Sequence, residues 1–176
     1  MTILTLCSEN GIELGSWTDS AVIGEKLAAV GIDYQHLATR PLDDLSPEAV
    51  MACYQDAIAN WQQQGGYQSV DVVSLQPDNP NAGELRRKFL DEHIHSEDEV
   101  RFFAAGSGIF YLHLNHHVYA LTCTQGDFLS VPAGTRHWFD MGLEPYFVAV
   151  RLFTNPDGWV AQHTGDPVAS NFIDAA

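Results

Sequence analysis

The chain has 176 residues, 45% hydrophobic and 18% charged, with a formal net charge of −15 from 23 acidic side chains against 8 lysines and arginines. This is the composition of a folded globular chain, long enough to bury a core without disulfide help. Its negative field would repel phosphate backbones and anionic lipid surfaces, so neither nucleic acid nor a membrane is expected as a partner.

The N-terminal "MTILTLCSENG" lacks the basic region and long apolar core of a secretory signal. No apolar run approaches the roughly 20 residues needed to span a bilayer. The chain therefore reads as a soluble, cytoplasmic protein. Cys7, Cys53 and Cys123 form no CxxC pair and read as reduced thiols. "IELGSW" predicts a short strand, and "DSAVIGEKLAAVGI" a helix capped by Thr18 or Asp19 and stopped by Gly31. "YQHLAT" predicts a strand. Ser46 and Pro47 then open a helix through "EAVMACYQDAIANWQQQ" that ends at Gly65 and Gly66. "SVDVVSLQ" alternates like a strand, and "NPNAGELRRKFLDE" predicts a short helix.

From about residue 91 the texture changes. "EVRFFAAGSGIFYLHL", "HHVYALTCTQGDFLSVPAG", "TRHWFDM" and "YFVAVRLF" are rich in aromatic and β-branched residues and are separated by glycine-containing turns. Such spacing predicts an antiparallel sandwich or barrel. The expected fold class is mainly β with N-terminal helices: one domain over 1–176, a helix-containing elaboration over 1–90, and a jelly-roll β-barrel core over 91–160.

The stretch "DEHIHSEDEVRFF" holds the chemistry. On a strand, residues two apart face one side, so His93 and His95 share a face. "SED" predicts a turn, after which Glu99 can return to the same cavity. His137, after "VPAGTRH", is a fourth donor. Three imidazoles and a carboxylate suit Fe(II), Ni(II), Mn(II) or Zn(II) rather than Ca(II) or Cu(I). Tetrahedral zinc would be closed by four protein donors, whereas an octahedral ion would keep two positions open. A lone HxH in an acidic loop is more often solvated than metallated, so the downstream "GDFLSVPAGTRH" matters.

Those residues resemble the cupin double motif. H-x-H-x3-E-x6-G is met by His93, His95, Glu99 and Gly106, and G-x5-P-x-G-x2-H by Gly126, Pro132, Gly134 and His137. Arg87 stands where the first motif usually has glycine, and Met141 where the second ends in asparagine. The longer strings "LRRKFLDEHIHSEDEVRFFAAGSGIFYLH" and "GDFLSVPAGTRHWFDMG" are similar to the acireductone dioxygenases of methionine salvage, most densely over residues 69 to 160. The resemblance implies a cupin barrel and metal ligation by His93, His95, Glu99 and His137. It also implies one Fe(II) or Ni(II) per chain, and acireductone and O2 as substrates of a monomeric enzyme. With Fe(II) the implied products are the oxo acid precursor of methionine and formate. With Ni(II) they are methylthiopropanoate, formate and carbon monoxide.

Acireductone chemistry then assigns expectations to the neighbours. Strand parity puts Arg101 on the face of Glu99, either clamping that carboxylate or stabilising charge on the substrate. Arg151 sits in an apolar strand, as an anion-stabilising group or one half of an ion pair. Asp98 occupies the position of a general base, against the plainer reading of a solvated turn acid. Phe139, Trp159 and Phe102 could wall the cavity and receive the methylthioalkyl tail, against the plainer reading of any one of them as a core aromatic, and parity points Phe102 away from Glu99. Glu92 and Glu97 read as surface acids, and His36, His113, His116, His117 and His163 are left without a role. Two rivals are a sugar-phosphate isomerase of the same superfamily, which lacks basic residues here, and a binding module with structural zinc.

Overall fold

The computed structural model describes residues 1–173. Its strands are β1 (Ile3–Ser8), β2 (Glu13–Trp17), β3 (Asp33–His36), β4 (Ser69–Leu75), β5 (His93–Ile94), β6 (Glu99–Leu114), β7 (His117–Thr124), β8 (Asp127–Val131), β9 (Arg136–Asp140), β10 (Phe147–Phe153) and β11 (Gln162–His163). The helices are α1 (Ser20–Ala28), α2 (Pro47–Cys53), α3 (Gln55–Gly65) and α4 (Ala82–Leu90), followed near the end by a 3-10 turn at Pro167–Asn171. All strand pairs are antiparallel. The architecture is the expected one, mainly β with helices concentrated in the first half.

Strand β6 is the spine. Its first part pairs with β10 and β8, and β10 and β8 carry β4 and β3 on their outer edges. Its second part pairs with β7 and β9 in the order β11-β5-β9-β6-β7-β1-β2. One strand can serve both sheets only by bending, and the bend falls at Gly106, whose φ is +70°. A Cβ there would lie 2.0 Å from the Tyr146 carbonyl oxygen, so only glycine fits. This gives the motif glycine its physical reason.

The interior is filled by alternate residues of the facing strands, among them Phe103, Phe110, Leu112, Leu121, Leu129 and Phe139. The opposite face of the β10 sheet is also dry, because Val50, Tyr54 and Ile58 of the helical segment cover Val100, Phe102, Val148, Val150 and Leu152. Burial on both faces explains why "YFVAVRLF" is apolar without alternation. It also corrects the expectation for Phe102. That ring points out of the barrel, 5.1 Å from Tyr54 and 5.2 Å from Trp61, because its even position in β6 is out of phase with Glu99 and Arg101.

The caps fall as expected: Asp19 accepts from the Ala21 and Val22 amides, and Ser46 from Ala49. The helix expected from Ser46 to Gly65 is divided at Tyr54 (φ −104°, ψ 16°), although Tyr54 and Ile58 still donate to the carbonyls four residues back. The ring of Tyr54 is held against Phe102 while its hydroxyl accepts from the Arg40 amide, so a tertiary anchor distorts an otherwise continuous helix.

Asp127 ties the N-terminal strands to the barrel. Its fully buried carboxylate accepts from Thr2 Oγ1 (2.6 Å), Tyr34 OH (2.8 Å) and the Thr124 amide (2.7 Å), and faces His36 Nδ1 at 2.9 Å. Asp127→Ala would orphan several buried donors, so a loss of about 3 kcal/mol or more in urea unfolding is expected. A loss well under about 1 kcal/mol would show that water replaces the carboxylate.

Candidate metal centre

His93 and His137 lie opposite each other in register, on β5 and β9. His95 follows β5 directly, and the turn at residues 96–98 returns the chain to Glu99, the first residue of β6. The two turns that flank the site are laced together: the Gly134 amide donates to the His95 carbonyl at 3.0 Å, and the Ala133 amide to Asp98 Oδ1 at 2.8 Å.

The three imidazole rings converge, with centroids 5.2 Å (His93–His95), 4.5 Å (His93–His137) and 5.0 Å (His95–His137) apart. All are buried, as is Glu99 at 1% exposure. Each ring is fixed the same way. Nδ1 of His93, His95 and His137 faces the carbonyl of Asp91 (2.8 Å), Val160 (3.1 Å) and Thr135 (2.8 Å) respectively. A carbonyl only accepts, so each Nδ1 carries the proton and each Nε2 presents a lone pair. Those lone pairs meet a carboxylate oxygen: Glu99 Oε2 lies 3.1 Å from His95 Nε2 and 3.5 Å from His137 Nε2. Glu99 Oε2 and His137 Nε2 are buried with no hydrogen-bond partner. Acceptors pointed at one another in a dry interior repel unless a cation lies between them. The donor set therefore fits a divalent metal.

Electrostatics agree with this geometry. Burial, helped by the neighbouring His137, lowers His93 to about 3, which keeps it neutral and able to donate. Burial alone would raise the Glu99 carboxyl, but the Arg101 guanidinium and the flanking imidazoles hold it well below the usual carboxylate range. Arg101 donates from Nε to Glu99 Oε1 at 2.6 Å and is itself wedged about 5 Å from the rings of Phe110 and Phe139. It occupies one carboxylate oxygen and leaves the other facing the imidazoles.

Arg151 is the cross-strand partner of Arg101. Its guanidinium forms a fork with Asp71, Nε–Oδ1 2.9 Å and Nη2–Oδ2 2.6 Å. It also lines a cavity of about 440 Å3 together with Trp159, Phe89, Phe147, Val73 and His163. The His163 ring lies 5.9 Å from that of His93, so one wall residue of the cavity adjoins the imidazole cluster, although none of the four donors lines the cavity. Trp159 stands at its edge, half exposed, beneath the Lys88 ammonium at 5.9 Å. Phe139 is buried inside the barrel against Phe110 and Phe147 and is not part of this cavity wall. Asp98 is exposed in its turn, bonded to a backbone amide, and Phe102 lies on the far side of β6.

Reading the sequence alone missed several groups here. Glu92 is not a surface acid but 2% exposed, bonded to His113 and Thr164. Its place beside His93 in a strand was legible, since alternation puts it on the opposite face. The acidic run around it concealed that this face is covered. The contributions of Val73, Leu85 and Phe89 to the cavity carried no local signal.

Comparison with known proteins follows the same lines. The family model described as "ARD/ARD' family" matches residues 23–161. An acireductone dioxygenase of Synechococcus sp. is 54% identical over 177 residues, covering 98% of each chain. One from Pseudomonas aeruginosa is 53% identical over 176 residues, covering 98% of this chain and 97% of that protein. The solved acireductone dioxygenase from Bacillus anthracis, with a cadmium ion in its active centre, superposes with a TM-score of 0.80 at 27% identity, covering 93% of this chain and 98% of that one. With this likeness running over nearly its whole length, and with the cupin donor set in place, the chain belongs to the ARD/ARD' family of acireductone dioxygenases.

Proposed function

We infer that this enzyme cleaves acireductone with O2, using one Fe(II) or Ni(II) held by His93, His95, Glu99 and His137. The observation that carries the reading is the convergence of lone pairs: three rings locked with Nδ1–H on backbone carbonyls, facing the unpartnered Oε2 of Glu99. A divalent metal bound there supplies Lewis-acid polarisation and a template for a chelating enediolate, and its identity selects between the oxo acid and the carbon monoxide products.

The protein's own groups do the rest. Three neutral imidazoles and one carboxylate leave a bound divalent ion with net positive charge, which attracts an organic anion into a chain whose total charge is −15. Arg101 fixes Glu99 and adds a buried positive charge behind it. Arg151, held by Asp71, presents guanidinium N–H donors to the cavity, its charge balanced by that carboxylate, while Val73, Phe89 and Phe147 offer apolar surface to the methylthioalkyl tail. Phe110, stacked on His137 at 5.4 Å, and Phe139 exclude water from behind the donors. Asp98 accepts the Ala133 amide on Oδ1, which fixes its turn, and its second carboxylate oxygen is the one assigned to a substrate proton in this reading. The reading takes the enzyme as a cytoplasmic monomer. Among the described residues no helix is long and apolar enough to cross a membrane.

Anaerobic addition of acireductone to iron- or nickel-loaded protein is expected to shift the substrate absorbance, and admitting O2 should then consume oxygen. No shift in a metal-replete sample, or stoichiometric zinc with no oxygen uptake, would sink the reading in favour of a binding module.

A further inference from the structure

Behind the imidazole cluster, on the outer face of the same strands, lies a second polar cluster. Register pairs His93 with His137 and His113 with Arg136. Alternation then puts Glu92, His113 and Arg136 on the face opposite to His93, Leu112 and His137. Glu92 is 2% exposed. One of its oxygens faces His113 Nδ1, and the other accepts from Thr164 Oγ1 at 2.7 Å with Arg136 Nη1 at 3.9 Å. Its backbone carbonyl accepts from the Thr164 amide at 3.1 Å. His113 Nε2 faces Glu9 Oε1 at 2.8 Å, and Arg136 Nη1 lies 3.8 Å from Asp166 Oδ2.

This cluster is not a second metal site. Both ring nitrogens of His113 are hydrogen-bonded to carboxylates, which only accept, so both donate and neither keeps a lone pair, whereas Glu99 Oε2 in the imidazole cluster makes no such bond; the positive charge among Glu9, Glu92 and Asp166 is already supplied by His113 and Arg136. Its position suggests a different task. Strand β5 is two residues long, joined to β9 through the single pair His93–His137 and to the equally short β11 through the pairs His93–His163 and Ile94–Gln162. Such a short ladder fixes register weakly, yet His93 must hold its Nε2 within a few tenths of an ångström of one point. Glu92 supplies what the ladder lacks: through His113 it is tied to β6, and through Thr164 to the segment after β11.

We propose that Glu92 is a positioning residue for the metal centre, holding β5 from behind so that His93 meets the ion in register with His137. The proposal rests on the ligand assignment above. It differs from Arg101, which acts on a ligand side chain directly, because Glu92 acts through the backbone of the residue it precedes.

The test measures metal affinity by chelator competition and the visible spectrum of Co(II)-substituted protein, alongside the melting temperature of the metal-free form. Glu92→Ala is expected to weaken metal binding by about 10- to 100-fold, the scale for groups that support metal ligands, and to shift the Co(II) bands. Glu92→Gln keeps an acceptor for His113 and a partner for Thr164, and should recover most of the affinity. Thr164→Val, a smaller cut in the same network, should weaken binding in the same direction. Wild-type affinity with an unchanged Co(II) spectrum in Glu92→Ala overturns the proposal, even if the melting temperature falls. Should that variant not fold, wild-type affinity in Thr164→Val overturns it instead. Failure of the wild-type protein to bind one metal would overturn the ligand assignment itself, and this inference with it.

Discussion

Alanine at His95 is expected to give a folded protein that neither retains metal through dialysis nor turns over acireductone. His95 Nε2 lies 3.1 Å from Glu99 Oε2, at the centre of the donor set, and no other imidazole among the described residues belongs to the cluster with His93 and His137. Loss of a direct donor should exceed the 10- to 100-fold weakening typical of an outer partner. The backbone should tolerate the change, because the Gly134 amide donates to the His95 carbonyl rather than to its ring. Truncation also removes the donor to the Val160 carbonyl, which adjoins Trp159 at the cavity edge. Any residual activity should therefore come with a raised KM. Elemental analysis after dialysis and an oxygen electrode decide the matter; full metal content with full turnover would falsify the assignment.

Arg101→Met is expected to be the most destabilising single change near the site. The Arg101–Glu99 pair is almost entirely buried, with side-chain exposures of 8% and 1%. Removing one member leaves a charge stranded in a dry interior, which costs about 3–5 kcal/mol. Methionine can still fill the space between Phe110 and Phe139, so loss of packing is minimised and the charge is what is tested. The effect should depend on pH with a defined sign. Arg101 and the imidazoles depress the folded-state Glu99 carboxyl, so this group stabilises the protein above its unfolded value of about 4.3 and loses that contribution as pH falls through the lower folded value. The deficit of the variant should thus be greatest near neutrality and shrink toward acid. Urea unfolding of metal-free protein across this range measures it, and a deficit of equal size at every pH would mean that packing rather than charge sets the cost.

The two variants separate roles that lie six residues apart in one short stretch. His95 should control occupancy with modest cost to the fold, and Arg101 should cost stability first and occupancy through Glu99. The contrast follows from chemistry: an imidazole with a lone pair toward the ion is a ligand, whereas a guanidinium without one can only hold a ligand in place.

Much of this protein is written locally. Helix caps at Asp19 and Ser46 and the aromatic and β-branched strands were legible, because each depends on a few neighbouring residues and a fixed period, whereas the motif singled out Gly106 without showing that the strand bends there. The pairing of His93 with His95 follows from the same two-residue period, and the parity that turns Phe102 away from Arg101 was equally readable. What only tertiary structure decided is where each exposed-looking group finds its cover or partner. Register across 44 positions sets His137 opposite His93. A fork from β4 holds Arg151 through Asp71, and a turn amide takes up Asp98. The same acidic run that contains exposed Asp98 also contains buried Glu92 and Glu99, which no composition separates. Burial is a property of chain segments brought together from far apart, and a buried charge is stable only where a distant partner meets it. Local sequence therefore fixes which way a side chain points, and long-range packing fixes what it finds there.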